Sequence, residues 1–280
     1  MNRRYRTALP LIGVCALVLL PRFAQADDPA PVVPPLYQRI VMLGASATSG
    51  FHESEPLGGP KTPQYHFANY IEAALIGTHE LVTTQATSLL FLQPEDTMKK
   101  QVTATLNAKP TLVIGIDAMF WFCYGAGLSE EQRATRFEAG LKELERIDVP
   151  LIVGDIPDAT QAVGGILSKA ELPEPRTIER CNERLTAWAA GRKNVSVFPI
   201  ARVMTSAAAN EQVALAGHTW EAGKSSALIR GDRLHPSRHA LAALAIAMLD
   251  AAGPSLEMCR DLETVYAAAI SRSGPMPKTE

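Results

Sequence analysis

Arg39-Ile40-Val41-Met42-Leu43-Gly44-Ala45-Ser46-Ala47-Thr48-Ser49-Gly50 runs through four consecutive apolar residues and stops at a glycine. A short apolar run ended by glycine is the pattern of a strand buried on both faces. Four later stretches repeat it, at 79–83, 111–116, 150–154 and 195–199. The segments between them carry helical periodicity, with helices expected near 64–76, 95–107, 129–147, 177–191, 236–252 and 257–271. The clearest is 129–147, where Ser129 and Gln132 form a capping box and Phe137, Leu141 and Leu144 repeat at helical spacing. Buried strands alternating with helices predict a mostly parallel sheet covered on both faces, and ligands on such sheets bind beyond the carboxyl ends of the strands. Ser46 stands just past the end of the first strand. Gly44 and Ala45 are small enough for a sharp bend that presents Ser46 outward, with Thr48 and Ser49 as competing hydroxyls in the same loop.

A serine hydroxyl is a weak nucleophile at neutral pH and needs an adjacent base, itself oriented by a third group. Asp232-Arg233-Leu234-His235-Pro236-Ser237, near the C-terminus, supplies one candidate for each of those roles. Within one turn of chain, a carboxylate three residues before a histidine can accept its Nδ1 proton and leave Nε2 free to face a substrate. Of the six histidines, only His235 has an acid at that spacing. Pro236 suits the first position of a helix, which places the Asp232–His235 pair in the loop before it.

The N-terminus sets the expected compartment. Arg3, Arg4 and Arg6 precede an apolar stretch from Ala8 to Leu20 and then Ala24-Gln25-Ala26, which reads as a secretory signal peptide over 1–26. Its apolar core is short for a bilayer span, so the mature chain is expected to be periplasmic or secreted, with no stable membrane span. Residues 27–38, with Pro29, Pro31, Pro34 and Pro35, read as an extended leader; 39–272 is the expected domain and 273–280 a tail. Loss of four arginines with the signal leaves 23 basic and 29 acidic residues, net −6, a surface that disfavours nucleic acid. Cys123, Cys181 and Cys259 allow at most one intramolecular disulfide, and their wide spacing suggests no metal site. Gly44 to Gly50 lacks the Gly-Lys-Ser/Thr ending of a phosphate-binding loop. No cofactor is implied.

The two motifs, in this order and at the ends of an α/β chain, resemble the SGNH (GDSL-type) hydrolase family. The family's first block, Gly-Asp-Ser-x-x-x-Gly, is matched by Gly44 to Gly50 except at Ala45. Its last block, Asp-x-x-His-Pro, is matched by Asp232, His235 and Pro236. The likeness in element order spans roughly 39–252. It implies a three-layer, flavodoxin-like α/β fold with a mostly parallel five-stranded sheet between helices. It also implies Ser46 as nucleophile, His235 as general base and Asp232 as its orienting partner.

The family usually completes its oxyanion hole with a glycine N–H and an asparagine side chain. Here the second strand leads into Thr83-Thr84-Gln85-Ala86-Thr87-Ser88-Leu89, without a glycine. The third leads into Gly115-Ile116-Asp117-Ala118, with Asp117 at the asparagine's place. An ionised aspartate has no donor to offer an oxyanion. The favoured readings make Asp117 either the orienter of a neighbouring donor or a structural residue, with a backbone amide near Ser88 or Ala118 filling the hole. On those readings Asp117→Asn retains or raises turnover. Phe120-Trp121-Phe122 and Tyr124 either line a pocket or pack the core, and Gly154-Asp155-Ile156-Pro157-Asp158 either borders the cleft or forms an ordinary turn.

The expectation is an exported serine esterase that acts through an acyl-enzyme on a small-molecule carboxylic ester or an O-acylated glycan. One rival is a non-catalytic ligand- or glycan-binding protein on the same scaffold, motivated by Ala45, Asp117 and the missing glycine. A nucleotide-binding flavodoxin-like domain is the other.

Overall fold

The five expected strands form one sheet in the computed structural model, which describes residues 35–52, 64–253 and 258–272. In chain order the strands are β1 (Ile40–Met42), β2 (Phe51–His52), β3 (Gln64–Tyr65), β4 (Thr83–Thr84), β5 (Leu112–Gly115), β6 (Leu151–Gly154), β7 (Val195–Phe198), β8 (Val213–Leu215) and β9 (His218–Trp220). The main sheet has the order β4-β1-β5-β6-β7, and every neighbouring pair in it is parallel. β2 pairs with β3, and β8 with β9, as separate antiparallel ribbons. The helices are α1 (Ser46–Ser49), α2 (Phe67–Ala74), α3 (Pro94–Asn107), α4 (Phe120–Cys123), α5 (Glu130–Leu144), α6 (Pro175–Ala190), α7 (Ile200–Ala208), α8 (Arg238–Ala252) and α9 (Leu262–Ser271).

The central strands β1, β5 and β6 are apolar and buried throughout because helices cover both faces of the sheet. Ile40, Met42, Leu112, Ile114 and Ile152 pack on one side with α2, α8 and α9. Leu43, Val113, Leu151 and Val153 alternate to the other side and pack with α3, α4, α5 and α6. Every residue of α8 from Ala240 to Leu249 is buried, so this helix is apolar all round and runs through the core.

Several boundaries differ from the sequence expectation. The second strand narrows to Thr83–Thr84: Glu80 N–H reaches the Gln38 carbonyl at 2.9 Å, but the Glu72 carboxylate takes the Val82 N–H at 2.9 Å and draws the chain off the ladder. Gln64–Tyr65 is strand, and the helix expected from residue 64 begins at Phe67. The last part of the expected extended leader, Pro35–Tyr37, is a 3-10 turn; Tyr37 buries its ring and its hydroxyl donates to the Gly253 carbonyl at 3.0 Å. The helix expected from Pro236 starts at Arg238, because the Ser237 side chain caps it by accepting the Ala240 N–H. The signal peptide (1–26) and the tail (273–280) lie outside the described residues.

Arg133 ties the end of α4 to the Glu171–Leu172 loop from the buried face of α5. Its guanidinium donates to the Cys123 carbonyl at 2.8 Å, the Glu171 carbonyl at 3.4 Å, the Leu172 carbonyl at 3.3 Å and Glu130 at 3.0 Å, with the residue only 2% exposed. Removing the donor strands buried carbonyls on both sides of it. Arg133→Met is therefore expected to lower unfolding stability by about 3 kcal/mol, read from urea denaturation midpoints. A change under about 0.5 kcal/mol would show that the loops do not depend on it.

Candidate active site

β1 ends at Met42, and the chain turns at Gly44 with φ +142°, in the left-handed region where a side chain is strained. The turn is also crowded. A Cβ on Gly44 would lie 2.2 Å from Oδ1 of Asp117 and 3.0 Å from Oγ1 of Thr48, so only glycine lets the carboxylate come this close. Asp117, just past the end of the neighbouring strand β5, uses that space. Its Oδ1 accepts the Ala45 N–H at 2.9 Å and the Thr48 hydroxyl at 2.6 Å; its Oδ2 accepts the N–H of Ala47 at 2.8 Å and of Thr48 at 3.3 Å. From α3, the Gln101 amide clasps Gly44 on both sides, accepting its N–H and donating to its carbonyl, each at 2.9 Å.

These contacts account for the amides of the turn in order. Gly44 N–H goes to Gln101; the N–H groups of Ala45, Ala47 and Thr48 go to Asp117; those of Ser49 and Gly50 go to the carbonyls of Ala45 and Ser46. Among the described residues, Ser46 N–H alone of this series has no acceptor. It sits at the start of α1, beside the Ser46 hydroxyl.

His235 arrives from a loop 189 residues later and places its Nε2 2.7 Å from the Ser46 Oγ. Its Nδ1 is 3.0 Å from Oδ2 of Asp232, whose Oδ1 accepts the N–H of Leu234 at 3.0 Å and of His235 at 2.9 Å. The tautomer that satisfies both ring contacts carries its proton on Nδ1 and accepts the serine proton on Nε2. The loop is pinned to its own approach by Arg230 N–H to the His235 carbonyl at 2.9 Å and Ser237 N–H to the Leu228 carbonyl at 2.8 Å. Burial alone would raise the Asp232 carboxyl. The hydrogen bond and charge of His235 and the two loop amides outweigh it and hold the group down at about 2.

The other two loop hydroxyls are turned away from His235. Thr48 is buried and bonded to Asp117, and the buried Ser49 hydroxyl donates to the Gly50 carbonyl at 3.4 Å. Ser88 opens an exposed 3-10 turn (Ser88–Leu92) and its side chain does not line the cavity described next, so the structure does not gather it with the other candidates. Gln101 escaped the sequence reading. Its signal was a glutamine in the buried stripe of α3 with Met98, Val102 and Thr105, a polar group placed where only a specific partner justifies it.

Ser46 and His235 open onto a cavity of about 840 Å³ counted out to its mouth. One wall is Phe120 and Trp121, packed edge to face at 5.1 Å; Phe122 and Tyr124 of the same cluster belong to the core. Asp155 and Pro157 border the cavity from the end of β6, as the Gly154–Asp158 turn implied. Burial pushes the Asp155 carboxyl up, against its hydrogen bond from the Ala201 N–H at 2.7 Å. Cys123, Cys181 and Cys259 are free thiols, the first two buried behind this wall.

No protein-family model and no curated protein matches the sequence. Solved structures do resemble the fold. A lipase/acylhydrolase from Enterococcus faecalis superposes with a TM-score of 0.52 at 17% identity, over 76% of this chain and 93% of that one. A GDSL-like lipase from Bacteroides thetaiotaomicron gives 0.47 at 13% identity, over 77% and 87%. A psychrotrophic esterase from a Pseudoalteromonas species gives 0.43 at 15%, over 76% and 96%. With its five-stranded parallel sheet between helices, the chain shares the fold of the Enterococcus faecalis lipase/acylhydrolase.

Proposed function

We propose that this protein is an exported serine ester hydrolase in which Ser46 is the nucleophile, His235 the general base and Asp232 the group that orients it. The observation that carries the reading is the 2.7 Å contact between Ser46 Oγ and His235 Nε2, continued at 3.0 Å to Asp232. In the first half-reaction Ser46 Oγ bonds to the ester carbonyl carbon while its proton moves to His235 Nε2. The tetrahedral oxyanion takes the Ser46 N–H, and His235 gives its proton to the departing alcohol as the C–O bond breaks. Water then repeats the sequence on the acyl-enzyme: His235 takes its proton, the acid leaves, and Ser46 recovers its hydrogen. Asp232 stays ionised throughout and stabilises the imidazolium. No step calls for a cofactor. Export is supported by the basic, apolar and small-residue segments of 1–26.

A fluorophosphonate probe is expected to label the protein in the periplasmic or extracellular fraction of expressing cells. Ser46→Ala abolishes that label and lowers ester turnover by about 10⁴-fold or more. Wild-type protein that is folded but never labels would sink the reading, and label confined to the cytoplasm would sink the export part of it.

We assign Asp117 the positioning role, one of the two readings favoured from sequence, but expect the opposite outcome of its replacement by asparagine. An asparagine has one acceptor oxygen where the carboxylate uses two, and its NH₂ would meet the N–H groups of Ala45 or of Ala47 and Thr48. Asp117→Asn is expected to lower kcat by about 100-fold with little change in KM. Steady-state kinetics at wild-type level would return the residue to a passive role.

The Asp232 carboxyl titrates below its unfolded value, so its contribution to stability is complete above the ordinary aspartate range and is lost as the pH falls towards about 2. The gap in Tm between wild type and Asp232→Asn should therefore narrow between pH values of about 4 and about 2. A gap that is constant across this window would mean that the carboxylate is not held by its partners.

A further inference from the structure

The cavity beside Ser46 is built almost wholly from apolar side chains. α7 contributes Val203, Met204 and Ala207, one face of that helix; β8 adds Leu215, and Leu228 and Leu244 of α8 close the far end. Ala207, Leu228 and Leu244 are core residues, at most 3% exposed, so this end is blind. The hydroxyl, imidazole and carboxylate side chains that line the cavity are already engaged. Ser46 and His235 bond each other, Asp117 is occupied by the turn amides, and Asp155 accepts the Ala201 N–H.

We propose that this blind pocket holds the acyl part of the substrate, and that the substrates are esters with an unbranched apolar acyl chain longer than acetyl rather than O-acetylated sugars. The inference rests on Ser46 being the nucleophile. A leaving alcohol must depart through the mouth, whereas the acyl group stays bonded to Ser46 until water releases it. The closed end therefore suits the acyl group. An acetyl methyl would touch few of these walls. A sugar would have to bury hydroxyls against leucine, valine and methionine with no spare partner, which is strongly unfavourable. An alkyl chain gains from the same walls, by about fourfold per methylene. α7 and β8 then act as the gauge of chain length, with Met204 and Ala207 the residues that set it.

The experiment measures kcat/KM of the full chain for p-nitrophenyl acetate, butyrate, hexanoate and octanoate and for an acetylated sugar, with one leaving group throughout the aryl series. Wild type should climb by about fourfold per methylene until the pocket fills, and the acetylated sugar should be the poorest substrate. In Ala207→Leu the octanoate-to-acetate ratio should fall by about 10-fold or more. Met204→Ala enlarges the pocket without crowding it and should move the optimum to longer chains. A wild-type series that is flat or declines from acetate, or an acetylated sugar that outruns the octanoate, overturns this proposal while Ser46 still labels with fluorophosphonate. If Ser46 does not label, the nucleophile reading fails and this inference falls with it.

Discussion

The site depends on the approach of one carboxylate to one glycine. Asp117 reaches the turn after β1 only because Gly44 has no Cβ, and a methyl there would overlap its oxygen. The benefit goes to α1, a helix of four residues that is far too short to hold itself together. Its first amides would otherwise face a cavity without acceptors. Asp117, anchored on the next strand, accepts two of them together with the N–H of Ala45 and the Thr48 hydroxyl, and so transfers the rigidity of the sheet to the proposed nucleophile.

Sheet topology decides why these pieces can meet. The strand order reverses at β1, whose partners are β4 on one side and β5 on the other, and the crevice at such a reversal is where parallel α/β sheets place their ligands. Ser46 and Asp117 leave from adjacent strands at that crevice. His235 has no strand to carry it. It is brought in by the loop ahead of α8, held by a backbone bridge between Ile229 and Pro236 and by a helix buried through the core. Two carboxylates thus flank Ser46 without contesting its chemistry. Asp232 is matched to an imidazole, and the charge of Asp117 is absorbed by backbone dipoles and a hydroxyl.

Much of this was legible before any coordinates, and the reasons are physical. Strands buried on both faces leave uninterrupted apolar runs, so β1, β5 and β6 were visible as such; the capping box at Ser129 marked α5. The Asp232–His235 spacing was readable because both residues sit in one turn of chain, and the structure brings Ser46 to that pair. What sequence spacing cannot encode is a contact across strands. Asp117 was noticed as a misfit for a donor, but the amides that claim it lie about 70 residues away in the chain. Gln101 binds Gly44 across a similar gap. The short ribbon β8–β9 was missed because three-residue strands carry no strong period of their own; α7, nine residues long, was missed although Ile200, Val203, Met204 and Ala207 fall at helical spacing.

Ala45 and Asp117, the two positions where the chain departs from the motifs it resembles, meet in one interaction, the Ala45 N–H donating to Oδ1 of Asp117 at 2.9 Å. A small apolar residue at position 45 leaves its N–H available, and an acid on the adjacent strand claims it. The exchange removes a side-chain donor from the place where an oxyanion would form, which in general forfeits about 3 kcal/mol of transition-state stabilisation. It also commits every competing amide of the turn to a fixed acceptor, so that Ser46 N–H is left at the proposed reaction centre with no acceptor among the described residues. A donor that needs no reorganisation at the moment of reaction is the more effective one. The apolar walls around it work in the same direction, because a hydrogen bond to a developing charge strengthens as water is excluded. A long acyl chain that fills those walls would exclude that water, so the turn and the pocket act on the same oxygen.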